Sequence, residues 1–119
     1  MPTPRERCDH ILQSIQAILA DINGHTEQYF LTNEPLRAAC YYRLVVIGEA
    51  ANDIQNSCVN EIALTVPNLA QDLSYANKLR TRLAHHYHRV DPKIVWDTIQ
   101  QSLPALGNQI ALLRHVLPP

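Results

Sequence analysis

From Pro35 to about Cys58 the chain runs roughly 23 residues without a turn signal, a length that fits one long helix and no ordinary strand. Leu36, Ala39, Cys40, Leu44, Ile47, Ala50, Ala51 and Ile54 share one broad apolar face of it. The Val45, Val46, Ile47 run has strand propensity, but the uninterrupted length outweighs it. Gly48, in the interior, costs roughly 1 kcal/mol relative to Ala, so its use is to let another helix approach closely.

The remaining segments carry the same period. Thr3, Pro4 and Glu6 form a helix start in which Thr3 caps, Pro4 lacks an amide that would be orphaned anyway, and Glu6 completes a capping box. Cys8, Ile11, Leu12, Ile15, Ile18, Leu19 and Ile22 then give an apolar stripe that Asn23 and Gly24 stop. Thr26 caps a short helix bearing Tyr29, Phe30 and Leu31, a lid that ends before Asn33 because Pro35 disfavours helical geometry at Glu34. Asn60 to Asn68 is a connection or short helix broken by Pro67. Leu69, Leu73, Ala76, Leu79 and Leu83 mark a fourth helix, and Asp91 with Pro92 restarts the chain for a fifth stripe of Val95, Ile99, Leu103, Leu106, Ile110 and Leu113. Pro104 should kink that last helix or restart it after Ser102. No repeat or alternating pattern appears. The expectation is an all-α, antiparallel up-and-down bundle of four or five helices, one domain over residues 1–119.

Chemistry concentrates in KLRTRLAHHYHRVD, Lys78 to Asp91. With Lys93 just beyond it, this window holds Lys78, Arg80, Arg82 and Arg89, half of the 10 Lys and Arg residues, and His85, His86 and His88 from the 6 His. The formal net charge of −1 excludes a globally basic nucleic-acid binder, so contact with phosphates must come from this local patch. An imidazole, with a reference pKa of roughly 6.5, can take a proton from a 2′-hydroxyl or give one to a leaving 5′-oxygen, while a guanidinium holds phosphate oxygens bidentately. A zinc site fits poorly, because Asp91 is the lone carboxylate near the three His and the guanidiniums oppose a cation. The bland alternative is that cations in the last turns of a helix simply oppose its dipole. Arg80 and His85 lie five residues apart, about 140° around an ideal helix, so they converge only if the helix ends near His85 or a second copy shares the cleft.

Arg80, four residues, His85, one residue, Tyr87, followed by VDPKIVW, resembles the arginine-x4-histidine-x-tyrosine signature of HepT-type toxins in the HEPN superfamily. YYRLVVIGEAAN, from Tyr41 to Asn52, resembles their RLxxIGEA helix, and DPKIVWDTIQQSLPAL their closing helix, so the resemblance spans nearly the whole chain. It implies a HEPN-like helical bundle that forms a homodimer and acts as a metal-independent endoribonuclease toxin. Arg80 and His85 would be the catalytic pair, with Lys78, Arg82 and His86 as further contacts to RNA phosphates. The implied partner is a minimal nucleotidyltransferase antitoxin of the MNT type, which would silence the toxin by AMPylation of Tyr87; no cofactor or metal is implied. One departure is visible: the position after the motif arginine is commonly Asn in that family, and here it is Thr81. An alternative within the same system is a non-catalytic helical adaptor or substrate of the nucleotidyltransferase.

Cys8, Cys40 and Cys58, odd in number and on apolar faces, are expected as reduced core thiols of a cytoplasmic protein. Charged residues precede any apolar run, so neither a signal peptide nor a membrane span is expected. Tyr41 and Tyr42 are expected in core or dimer interface, Trp96 at the core edge or interface, and the last four residues as a fraying end. Glu49 either orients Arg43 or Arg80 or faces solvent. His10, His25 and His115 carry no functional expectation.

Overall fold

In a computed structural model, which describes residues 2–119, most of the α-helices begin where a side chain or proline can deal with the orphaned amides of the first turn, the exceptions being those that start at Val59 and Leu69. Thr3 accepts from the Glu6 amide and Glu6 returns the bond to the Thr3 amide, opening α1 (Pro4–Ile22) with the expected capping box. Gly24, at φ +78°, turns the chain after it in the left-handed region that suits glycine. Thr26 caps α2 (Glu27–Thr32) through the Tyr29 amide. Asn33 then caps α3 (Glu34–Ser57) by accepting from the Leu36 amide at 2.9 Å. The short α4 (Val59–Thr65) stops ahead of Pro67, and α5 (Leu69–His85) follows. After a 3-10 turn at Tyr87–Arg89, Asp91 caps α6 (Pro92–Gln101) through the Lys93 amide, with Pro92 as its first residue. Pro104 cannot donate the amide that would continue that helix, so the chain restarts at Ser102 as α7 (Leu103–Val116).

The described residues form no strand, and the molecule is an all-helical bundle in which α1, α3, α5 and the α6–α7 pair are the long members. α3 is central, packed most extensively on α5 at one side and α1 at the other, while α7 closes on α1. α5 meets α7 only along a short stretch, which leaves a seam there of about 430 Å³ floored by Leu44 and Ile47. The core comprises the expected stripes, with Ile11, Ile18, Phe30, Ile54, Leu69, Leu73, Ile99, Ile110 and Leu113 fully buried. Phe30 brings α2 against α6, its ring centroid 5.3 Å from that of Trp96, so Trp96 sits at the core edge. All three cysteines are free and buried; burial pushes the thiol of Cys8 up to about 12 and that of Cys40 to about 11.

The edges of the stripes differ from expectation. Leu19 is exposed, Ala39 faces outward, and Tyr42 is 65% exposed and belongs to no core. Conversely Ser14 is buried on α1, and Leu117, expected to fray, is buried under the end of α7. An ion pair between Arg114 and Asp9 ties α7 to α1, and that guanidinium holds the Asp9 carboxyl below the usual carboxylate range.

Gly48 does what its position in the sequence suggests. A β-carbon there would stand 2.8 Å from the Ala76 carbonyl oxygen and closer still to the β-carbon of Arg80, so α3 and α5 touch backbone to side-chain stem. Gly48→Ala is therefore expected to lower stability by about 1–3 kcal/mol. Gly107→Ala, whose new β-carbon would meet Ile15 at an ordinary 3.7 Å, should instead raise it by up to about 1 kcal/mol. Urea unfolding of the two variants should give midpoints displaced in opposite directions; displacement in the same direction would contradict the packing.

Candidate functional site

The last turns of α5 hold the basic window because its apolar residues face α3 and its cations face out. Leu73, Leu79 and Leu83 are buried, while Lys78, Thr81, Arg82 and His85, at i, i+3, i+4 and i+7, are exposed along the outer face. The helix ends at His85. His86 leaves helical geometry at φ −136° and ψ 42°, its amide still donating to the Arg82 carbonyl at 2.7 Å, and the 3-10 turn carries Tyr87, His88 and Arg89 away. Termination at this point is one of the two conditions under which Arg80 and His85 can serve one cleft.

Lys78, Arg82 and His86 line a common open cleft of about 690 Å³, together with Arg89, Thr81 and Asn77. Asp91 is the one carboxylate in that lining. Among the described residues, no carboxylate is in ion-pair range of Lys78, Arg80, Arg82 or Arg89; the ion pairs use Arg7, Lys93 and Arg114. Lys93, counted with the window by sequence, is tied to Glu27 at 3.2 Å and Asp97 at 3.4 Å and so serves the α2–α6 contact. Clustered, unneutralised cations beside a concave surface attract a polyanion and offer its phosphates donors.

Arg80 and His85 are not brought together directly. Arg80 is half-buried over Gly48, and its guanidinium turns back to Asn77, donating to Oδ1 from Nε at 3.1 Å and Nη2 at 2.8 Å. Asn77 is itself part of the cleft wall, so Arg80 stands one side chain behind it. His85 is exposed at the helix terminus, with its imidazole free to solvent. The Thr81 hydroxyl donates to the Asn77 carbonyl at 3.1 Å. Glu49 is exposed and holds neither arginine, since Arg80 takes Asn77 and Arg43 lies 5.9 Å over the Tyr42 ring.

Tyr87 is half-buried between two rings, edge-on to Tyr41 at 5.2 Å and to His88 at 5.1 Å. Tyr41 is the core tyrosine of the Tyr41–Tyr42 pair, and burial pushes its phenol up to about 12. Tyr87 thus rests on α3 at the rim of the cationic segment. Sequence reading missed Asn77, although an amide three residues before an arginine on a helix is a recognisable i, i+3 pair. It also missed the part of Arg89 in the cleft. No group of three or more His, Cys, Asp or Glu side chains among the described residues is arranged to hold a metal ion. No helix among them is long and apolar enough to cross a membrane.

Comparison with known proteins returns a family model described as "Ribonuclease HepT-like", matching residues 10–113. The chain is 29% identical over 110 residues to a candidate RNase of Caldanaerobacter subterraneus subsp. tengcongensis, covering 92% of this chain and 93% of that one. It is 29% identical to a candidate RNase of Methanocaldococcus jannaschii, covering 79% of this chain and 73% of the other. The probable ribonuclease HepT of Thermococcus cleftensis is 26% identical, with 71% and 72% covered. No solved structure matches.

The three site tyrosine environments give a chemical check. Nitration by tetranitromethane needs access to the ring, so at about pH 8 it is expected to modify exposed Tyr42 readily, half-buried Tyr87 more slowly and buried Tyr41 not at all. Peptide mapping that finds nitrated Tyr41 in the folded protein would contradict the packing around Tyr87.

Proposed function

Because the chain belongs to the HepT-like ribonuclease family, we propose that it is a metal-independent endoribonuclease and the toxin of a toxin–antitoxin pair. The observation that carries this is the cleft of unneutralised cations at the end of α5, with Arg80 behind its wall and His85 at the helix terminus. Lys78, Arg82 and His86 hold the RNA backbone. The 2′-hydroxyl attacks the adjacent phosphorus, the bond to the 5′-oxygen breaks, and the products are a 2′,3′-cyclic phosphate and a free 5′-hydroxyl. His85 takes or delivers the proton, and Arg80 steadies the charge that builds on the phosphoryl oxygens.

A homodimer completes the site, since one chain holds Arg80 and His85 apart. Tyr87 is the point of control: a nucleotidyltransferase antitoxin transfers AMP to its hydroxyl, placing a negative, bulky group beside the cations that RNA needs. The half-buried seat of Tyr87 against Tyr41 supports this by fixing the ring at the rim. A second reading, a non-catalytic substrate or adaptor of the same partner, has in its favour that Arg80 bonds Asn77 and not His85.

Incubation of the unmodified protein with RNA in EDTA separates the two. Cleavage is expected, reduced roughly 10²- to 10⁴-fold by His85→Ala and lost to a similar extent in Arg80→Ala. Equal activity in wild type and His85→Ala would sink the assignment, and no cleavage by any unmodified sample favours the adaptor. Lys78→Ala and Arg82→Ala should weaken RNA binding and each flatten the log–log salt dependence by roughly 0.7.

A further inference from the structure

We infer that Asn77 is a positioning residue for Arg80, fixing which edge of the guanidinium is presented to the phosphate; the consequence for catalysis rests on the ribonuclease reading above. Two donors of the guanidinium, Nε at 3.1 Å and Nη2 at 2.8 Å, converge on the single Oδ1 of Asn77. That occupies the side-on edge of the group and leaves the end-on pair, Nη1 with the second hydrogen of Nη2, for an anion. The stem of Arg80 is fixed independently, because its β-carbon lies against Gly48, where no side chain fits. With the stem held by α3 and the head held by Asn77, the long rotamer chain between them loses most of its freedom before substrate arrives. Less remains to be ordered in the transition state.

No neighbour duplicates this hold. The Thr81 hydroxyl donates to the Asn77 main-chain carbonyl at 3.1 Å, so the residue directly after Arg80 is engaged with the helix backbone. Glu49, the nearest acid by sequence reasoning, is exposed and unengaged with Arg80. A neutral partner also suits the task. An amide oxygen orients the guanidinium without cancelling its charge, whereas a carboxylate would compete with the phosphate for it. Asn77 itself lines the cleft, so the hold is made at the wall that RNA would meet.

The test combines kinetics with a direct view of the Arg80 side chain. In Asn77→Ala, kcat for RNA cleavage in EDTA should fall roughly tenfold to a hundredfold while KM stays within about threefold, the split expected of lost orientation. The Arg80 Nε–H resonance, assigned by its absence in Arg80→Lys, should exchange faster with water in Asn77→Ala than in wild type. Asn77→Asp keeps the oxygen acceptor, so it should restore the slow exchange while raising KM, because the added charge opposes phosphate. Ala is the better helix former at this position, and an unchanged urea midpoint verifies that the variant is folded. An Arg80 resonance indifferent to Asn77→Ala, or a kcat within about twofold of wild type, overturns the inference. A wild type that cleaves no RNA overturns the ribonuclease reading and the kinetic role with it, and the resonance then decides the tether by itself.

Discussion

At Gly48 the backbone of α3 meets the stem of Arg80 with no side chain between them, and this fixes the rotation of α5 about its own axis. Once that angle is set, Leu73, Leu79 and Leu83 fall into the core, and Lys78, Thr81, Arg82 and His85 fall outside it. A larger residue at 48 would push the helices apart or roll α5, and either movement carries the whole basic face with it. The glycine costs helix propensity and exchanges it for register. Packing, charge placement and the candidate site therefore share one origin, a missing methyl group.

The second determinant is where α5 stops. Neither His86 nor Tyr87 is a residue type that bars a helix from continuing. Yet the chain turns at His86, the 3-10 turn seats Tyr87 against α3, and Asp91 starts α6. The cations gathered there lack carboxylate partners, while Arg7, Lys93 and Arg114 at other helix contacts are paired. Dipole compensation explains a basic residue in a last turn, Arg82 or His85. It does not explain Lys78 and Arg89, one before that turn and one beyond the helix, in the same concave surface. The anionic substrate proposed for the cleft would account for all of them, in keeping with the ribonuclease family to which the chain belongs.

Much of this was legible in the residues because it is local. The caps at Thr3, Thr26 and Asp91, the stop at Gly24 and the break at Pro104 are short-range chemistry, and each appears where the residue types require. The purpose of Gly48 was legible too, though not its partner. What escaped was set by tertiary contact. Tyr41 and Tyr42 are adjacent and alike, yet one is core and the other solvent, because α3 is covered on two sides and a rotation of 100° separates the two residues. Leu117 is held by the bundle end although it follows the last helix. The choice of Asn77 by Arg80, over Glu49 or Thr81, depended on rotamers that no periodicity encodes.

The proposed reaction requires Arg80, bonded to Asn77 of its own helix, and His85, exposed at the end of that helix, to meet across the proposed homodimer. Subunit mixing tests this most directly. Arg80→Ala and His85→Ala proteins, each inactive alone, are allowed to exchange subunits, and RNA cleavage in EDTA is measured while native mass spectrometry follows the mixed dimer. A shared cleft predicts that cleavage appears as the mixed dimer forms, because one intact arginine and one intact histidine then face each other. A mixed dimer that forms and remains inactive would contradict it.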